Sequence, residues 1–194
     1  MSSHPVTIPP RKRWTDEELM ALPKDGYKRE LLDGEIVMSP AGSEHGRKIM
    51  RFSASLLPWV YDHKLGELFD GQTGFRMKSG DLLSPDISFV SKDRLVGLPQ
   101  APEGFFEGAP DLAIEFLSPG ETKKIVERKV SLYFENGARV AWVIDLRREF
   151  VLVYHSRTQQ RKLTKGDFLD GESILPGFRI AVDAIFTGLD YNPG

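Results

Sequence analysis

The 194-residue sequence contains no cysteine, which excludes disulfides and thiolate metal sites. No apolar run approaches the roughly 20 residues that a membrane span requires. The amino terminus carries no secretory hydrophobic stretch. Net charge is −2, so overall basicity does not announce nucleic acid, and any such binding must come from a local patch. Internal repeats and low-complexity segments are missing too. These absences point to a soluble protein, with the cytoplasm as the expected compartment. Hydrophobic residues make up 40% and charged residues 28% of the chain, an ordinary globular balance with enough length for one core-forming domain. The expected organisation is a flexible arm over residues 1–13 and a single domain over 14–190.

Leu112-Ala113-Ile114-Glu115-Phe116-Leu117-Ser118 stands out from this unexceptional background. Pro110-Asp111 opens the run and Pro119-Gly120 closes it, which marks a short buried strand. Strand alternation points Leu112, Ile114 and Phe116 to one face and Ala113, Glu115 and Leu117 to the other. Both faces are apolar apart from one carboxylate. Buried without a partner, Glu115 would protonate, pair or bind a metal. It needs a partner.

Upstream, Arg11-Lys12-Arg13 is either a solvated tail or an arm that touches phosphate. Thr15-Asp16-Glu17-Glu18 has the spacing of a capping box. Tyr27 to Leu32 and Glu35 to Met38 flank Asp33-Gly34, a hairpin signal. From Ser43 to His63, the spacing of Ile49, Phe52, Leu56 and Val60 predicts a helix, with a kink or early end at Pro58. His45, in its first turn, suits the surface or a cap as well as proton transfer or substrate contact.

Gly66 to Lys78 reads as one or two strands, and Ser84 to Val90 as another that begins at Asp86. Lys92 to Gly108 is expected to be a long surface loop that can serve as a lid. Thr122 to Asn136 is a second helix, ended by Gly137. Ala141 to Leu146 completes a strand–helix–strand unit, hence a right-handed parallel crossover. Phe150 to His155 and Arg161 to Leu163 form an expected hairpin near the carboxyl end, followed by a last strand and a short helix near Ala184-Ile185-Phe186.

Two residues are candidate partners for Glu115. Lys129 falls on the apolar stripe of the second helix, between Ile125 and Tyr133 and beside Val126 and Val130. It either snorkels to the edge or pairs with a carboxylate inside; Lys129→Met keeps the stem's apolar packing, so a small folding defect is expected. Asp86 is either a strand-start turn residue or, with Glu115, one half of an oxygen-ligand site for Mg²⁺ or Mn²⁺.

Together these stretches resemble the Uma-type restriction endonuclease family of the PD-(D/E)XK nuclease superfamily. The matching residues are Tyr27 to Pro40, His45, Ser84-Pro85-Asp86, Pro110 to Pro119, Lys129 with Tyr133, Gly137 and Trp142 to Asp145, in family order from about Trp14 to Phe186. The resemblance implies an α/β (α+β) fold, in which a mixed central sheet is flanked by helices, with added hairpins at both ends of the chain. It implies metal-dependent phosphodiester cleavage, most directly of DNA. Asp86 matches the aspartate of the PD motif, and Glu115 the acid of (D/E)XK. The lysine expected two residues later is Leu117 here, and Lys129 matches a helix lysine that takes its place. Glu30 and His45 match recurrent family positions. Arg139-Val140-Ala141 departs from the proline and acid that many relatives carry before Trp142.

On this basis Asp86, Glu115 and the Phe116 carbonyl are expected to hold Mg²⁺ or Mn²⁺, with Lys129 assisting an attacking water. A basic face of Arg11 to Arg13, Arg47, Lys48 and Arg51 is expected to meet nucleic acid, and a homodimer is expected for double-strand cleavage. The rival function is a catalytically weak or inactive nucleic-acid-binding or assembly module on the same fold. A glycosidase using Asp86 and Glu115 gives Lys129 no work.

Overall fold

The computed structural model describes residues 13–23, 28–38, 42–96, 104–117 and 121–187. The expected arm up to Lys12, Tyr27, Ser39-Pro40, residues 97–103 of the expected loop and Ser118-Pro119 lie outside these described residues. The chain opens with α1 (Asp16–Met20), capped by Thr15 and Glu18 in a reciprocal capping box. Strands β1 (Arg29–Leu32) and β2 (Glu35–Met38) pair directly across Asp33-Gly34. Both turn residues have positive φ, 53° and 76°, as a type I′ hairpin requires.

Helix α2 (Ser43–Asp62) runs on through Pro58. That proline lies on the exposed face, as does Ala54 one turn earlier, so water can serve the carbonyl that loses its helical partner. Next come β3 (Gly66–Asp70), β4 (Phe75–Arg76), β5 (Leu82–Leu83) and β6 (Ile87–Ser91). The expected loop from Lys92 instead begins with the short helix α3 (Lys92–Leu95) and ends in β7 (Phe106–Glu107). Then β8 (Leu112–Phe116), α4 (Lys123–Glu135) and β9 (Val140–Asp145) form the crossover unit. The chain finishes with β10 (Phe150–Tyr154), β11 (Gln160–Leu163), β12 (Phe168–Asp170), β13 (Arg179–Ala181) and α5 (Val182–Phe186).

Six strands make the central sheet, ordered β11-β10-β9-β8-β6-β3. It is mixed: β8 and β9 are parallel, and the other neighbours are antiparallel. On one face, Phe52, Leu56 and Val60 of α2 pack against Ile87, Leu112, Ile114 and Trp142. On the other, Val126, Val130 and Tyr133 of α4 pack against Ala113 and Val143, together with Leu32, Phe75 and Leu83. Those last three belong to a second sheet, ordered β2-β1-β5-β4-β7.

The amino-terminal hairpin is therefore an edge of a larger sheet, not an appendage. It is tied to α4 by Asp33, whose carboxylate accepts from Arg128 Nε and Nη2 at 2.9 and 2.7 Å. A further small sheet, β12-β13, follows the carboxyl-end hairpin. Among the described residues no helix is long and apolar enough to cross a membrane.

Candidate active site

The antiparallel ladder pairs Ile87 with Ile114. Asp86 immediately precedes Ile87 and Glu115 immediately follows Ile114, so the two acids lie at the same end of this strand pair. Asp86 Oδ2 accepts from the Phe116 amide at 2.8 Å, so a side chain completes the strand pair where Pro85 precedes it. Its other oxygen, Oδ1, accepts from Lys28 Nζ at 2.9 Å. His45, on the first turn of α2, places Nε2 2.8 Å from the Phe116 carbonyl and 3.7 Å from Asp86 Oδ2. Donation to that carbonyl requires a proton on Nε2, and the buried Nδ1 has no hydrogen-bond partner among the described residues.

Glu115 is buried, and its Oε1 accepts from the Tyr133 hydroxyl at 2.5 Å. Lys129 Nζ lies 3.5 Å from the same oxygen, 3.3 Å from Glu121 Oε1 and 2.6 Å from Glu30 Oε2. Glu30 is held in turn by the Ser84 amide, which donates to its Oε1 at 2.8 Å. Tyr133 follows Lys129 by one helical turn, so a single face of α4 delivers both groups.

Burial dominates the acid–base behaviour here. It pushes the Glu115 carboxyl up to about 8; Lys129 pulls the other way, and Glu30 and Asp86 add to the rise. Burial likewise lifts the Tyr133 hydroxyl well above its usual range, helped by Glu115 and Glu30, so it remains a donor. Burial works to lower Lys129, yet Glu115, Glu30 and Glu121 outweigh it and hold the ammonium well above its ordinary value. Lys28 follows the same pattern, raised against burial by Asp86, then by Glu30 and Glu115.

All the residues singled out in the sequence converge: Asp86, Glu115, the Phe116 carbonyl, Lys129, Glu30 and His45. His45 is buried, which overturns its surface role, and Lys129 pairs instead of snorkelling. Of the expected basic face, Arg13 is exposed and Arg47 and Arg51 are partly exposed. Lys48 is buried and donates to the Phe186 carbonyl, Arg47 pairs with Glu44, and Arg51 donates to the Thr187 carbonyl. Arg11 and Lys12 lie outside the described residues.

Sequence reasoning missed Lys28, Glu121 and the Tyr133 hydroxyl. Beside the cluster, past the carboxyl ends of β8 and β9, opens a cleft of about 580 Å³ lined in part by His45, Leu117, Glu121, Val126, Val143 and Tyr154. Ligands of open sheets favour this position.

Asp86, Glu115 and the Phe116 carbonyl are an all-oxygen donor set on adjoining strands. Among the described residues no group of three or more His, Cys, Asp or Glu side chains is arranged to hold a metal. The fit rests on donor chemistry alone: two carboxylates and a carbonyl offer only oxygen, which suits a hard ion such as Mg²⁺ that takes one or two carboxylates and keeps several waters. In the structure Lys28 occupies Asp86 Oδ1 and His45 one side of the Phe116 carbonyl, whose oxygen has a second lone pair.

A mixed sheet with α2 on one face and α4 on the other is also the fold of a crystal structure described as a "putative nuclease belonging to DUF820" from Anabaena variabilis ATCC 29413. That structure is similar over 88% of this chain and 96% of its own, with a TM-score of 0.76 and 20% identity. No curated protein is a match. The family model Uma2, described as "Putative restriction endonuclease", matches residues 16–183. The chain belongs to the Uma2 family.

Proposed function

We propose that this chain is an endonuclease that uses Mg²⁺ or Mn²⁺ to hydrolyse phosphodiester bonds in DNA, acting in the cytoplasm as a homodimer so that two sites can cut two strands. One observation carries the proposal. Around the paired strand ends, four carboxylates (Glu30, Asp86, Glu115 and Glu121) meet two ammonium groups (Lys28 and Lys129). Burial disfavours ionisation of Glu115 and pushes its carboxyl up to about 8. A divalent cation beside Asp86 and Glu115 would favour the ionised form in the proton's place.

Asp86, Glu115 and the Phe116 carbonyl would hold the ion, which when bound supplies charge neutralisation on phosphate and acidifies a water. Other groups keep those ligands in position. Tyr133 and Lys129 fix Glu115, the Phe116 amide fixes Asp86, and His45 orients the Phe116 carbonyl. Lys129, expected to assist the water, is placed to hold Glu30 and Glu115 together.

The test is supercoiled plasmid incubated with Mg²⁺ or Mn²⁺, with EDTA as control. Wild type is expected to nick or linearise it, and Asp86→Ala and Glu115→Ala to leave it intact. Wild type that leaves DNA and RNA uncut with every metal gives the field to the binding or assembly module. Thermal melts supply a second check. An ion bound only by the folded state adds about 2.7 kcal/mol at a hundredfold excess over Kd. Mn²⁺ should stabilise wild type but not Asp86→Ala; equal shifts would put the ion elsewhere.

A further inference from the structure

We infer that Lys28, not Lys129, is the lysine that meets the scissile phosphate, an assignment that rests on the nuclease proposal above. An ammonium group has three N–H donors. Lys129 Nζ lies 2.6, 3.3 and 3.5 Å from carboxylate oxygens of Glu30, Glu121 and Glu115, and its side chain is 2% exposed. To reach a phosphate it would have to abandon three buried carboxylates. Lys129 is a positioning residue.

Lys28 is built differently. Among the described residues its ammonium pairs with one acceptor, Asp86 Oδ1 at 2.9 Å, and its side chain is 14% exposed, at the rim of the cluster. Asp86 does not depend on that contact, because the Phe116 amide holds its other oxygen at 2.8 Å. Gly71, just past the end of β3, borders the ammonium with bare backbone. A Cβ there would stand 3.6 Å from Lys28 Nζ, and a larger side chain would reach into the space a phosphate needs. Lys28 therefore has donors to offer, access to solvent and a carboxylate it can release.

In the reaction Lys28 turns its N–H groups to a non-bridging oxygen of the diester, which would leave Asp86 Oδ1 free to help hold a divalent ion. The water oxygen bonds to phosphorus as the bond from phosphorus to one sugar oxygen breaks. The leaving oxygen departs with the electron pair and takes up the proton that the water gives up. Lys28 keeps all its protons throughout and offsets the negative charge that builds on phosphate.

Lys28→Met and Lys28→Arg, in the full-length protein, test the assignment. Mn²⁺ binding by calorimetry should be tighter in Lys28→Met than in wild type, because a competing cation has left Asp86. Single-turnover cleavage of an oligonucleotide duplex by Lys28→Met should fall by about 10²–10³-fold, the usual loss for one transition-state donor. Lys28→Arg should recover part of that rate. Cleavage by Lys28→Met at the wild-type rate, or loss of Mn²⁺ binding together with rate, overturns the assignment while leaving the nuclease standing. Wild type that cuts nothing removes both.

Discussion

Lys129→Met should unfold with about 3–5 kcal/mol less free energy than wild type, the usual cost of stripping one partner from a buried ion pair. Methionine preserves the packing of the stem, which is why the sequence alone suggests a mild effect. The structure reverses that expectation, since Lys129 is enclosed by Glu30, Glu115 and Glu121. Removing the ammonium leaves those carboxyls to repel one another or to take up protons. Urea titration at neutral pH with EDTA measures the loss, and the melting temperature should fall on the order of 10 °C. Glu30→Gln added to Lys129→Met should give part of the stability back, a coupling that a double-mutant cycle isolates. A loss below about 1 kcal/mol would mean that the cluster does not depend on this charge.

Glu115→Gln should remove most of the pH dependence of stability between pH 5 and 8 in metal-free protein. The ordinary carboxyl value is 4.5, and burial raises that of Glu115 to about 8. Between those values the folded protein keeps a proton that the unfolded chain has already released. Stability associated with this group is thus complete below 4.5, declines as pH rises, and is gone above 8. The raised values of Lys28 and Lys129 act only above 10.5, outside the window.

Each pKa unit corresponds to about 1.4 kcal/mol, so wild type should lose a few kcal/mol between pH 5 and 8. Glutamine stays neutral and still accepts from Tyr133, so the variant should match wild type at pH 5 and exceed it at pH 8. With Mn²⁺ present the order at pH 8 should invert, because a bound cation takes the place of the proton. Urea titrations at pH 5, 6.5 and 8 decide the matter. A wild type whose metal-free stability is flat across that range would be fatal to this account of Glu115.

Much of this was legible in the sequence because periodicity is informative over long elements. The alternation at Leu112 to Phe116 located Glu115, and the 100° period of α4 located Lys129, each as a charge on an apolar face. Other signals were present but looked bland. His45 continues the stripe of Ile49, Phe52 and Leu56, yet a histidine in a first turn suggests a surface. Lys28 and Glu30 share a strand face with Leu32, but Lys28-Arg29-Glu30 resembles a solvated run. Strands of two residues, such as β4, β5 and β7, are too short to show any period. Their sheet exists only through long-range pairing, which local propensity does not encode. Glu121 precedes its helix and acquires meaning only when α4 brings Lys129 beside it.

The acids and the cations of this site are held in different ways. Asp86 and Glu115 flank the last rung of one ladder, Ile87 with Ile114, so each acid's place is set by its strand. An ammonium at the end of a long stem has no such constraint. It can arrive at nearly the same point from a hairpin, as Lys28 does, or from a helix, as Lys129 does. Descent with modification can therefore relocate the lysine freely while the two acids stay anchored to their strands. Under the nuclease proposal, Leu117 stands where the resemblance places a lysine, and Lys28 and Lys129 bring ammonium groups to the two acids from other elements.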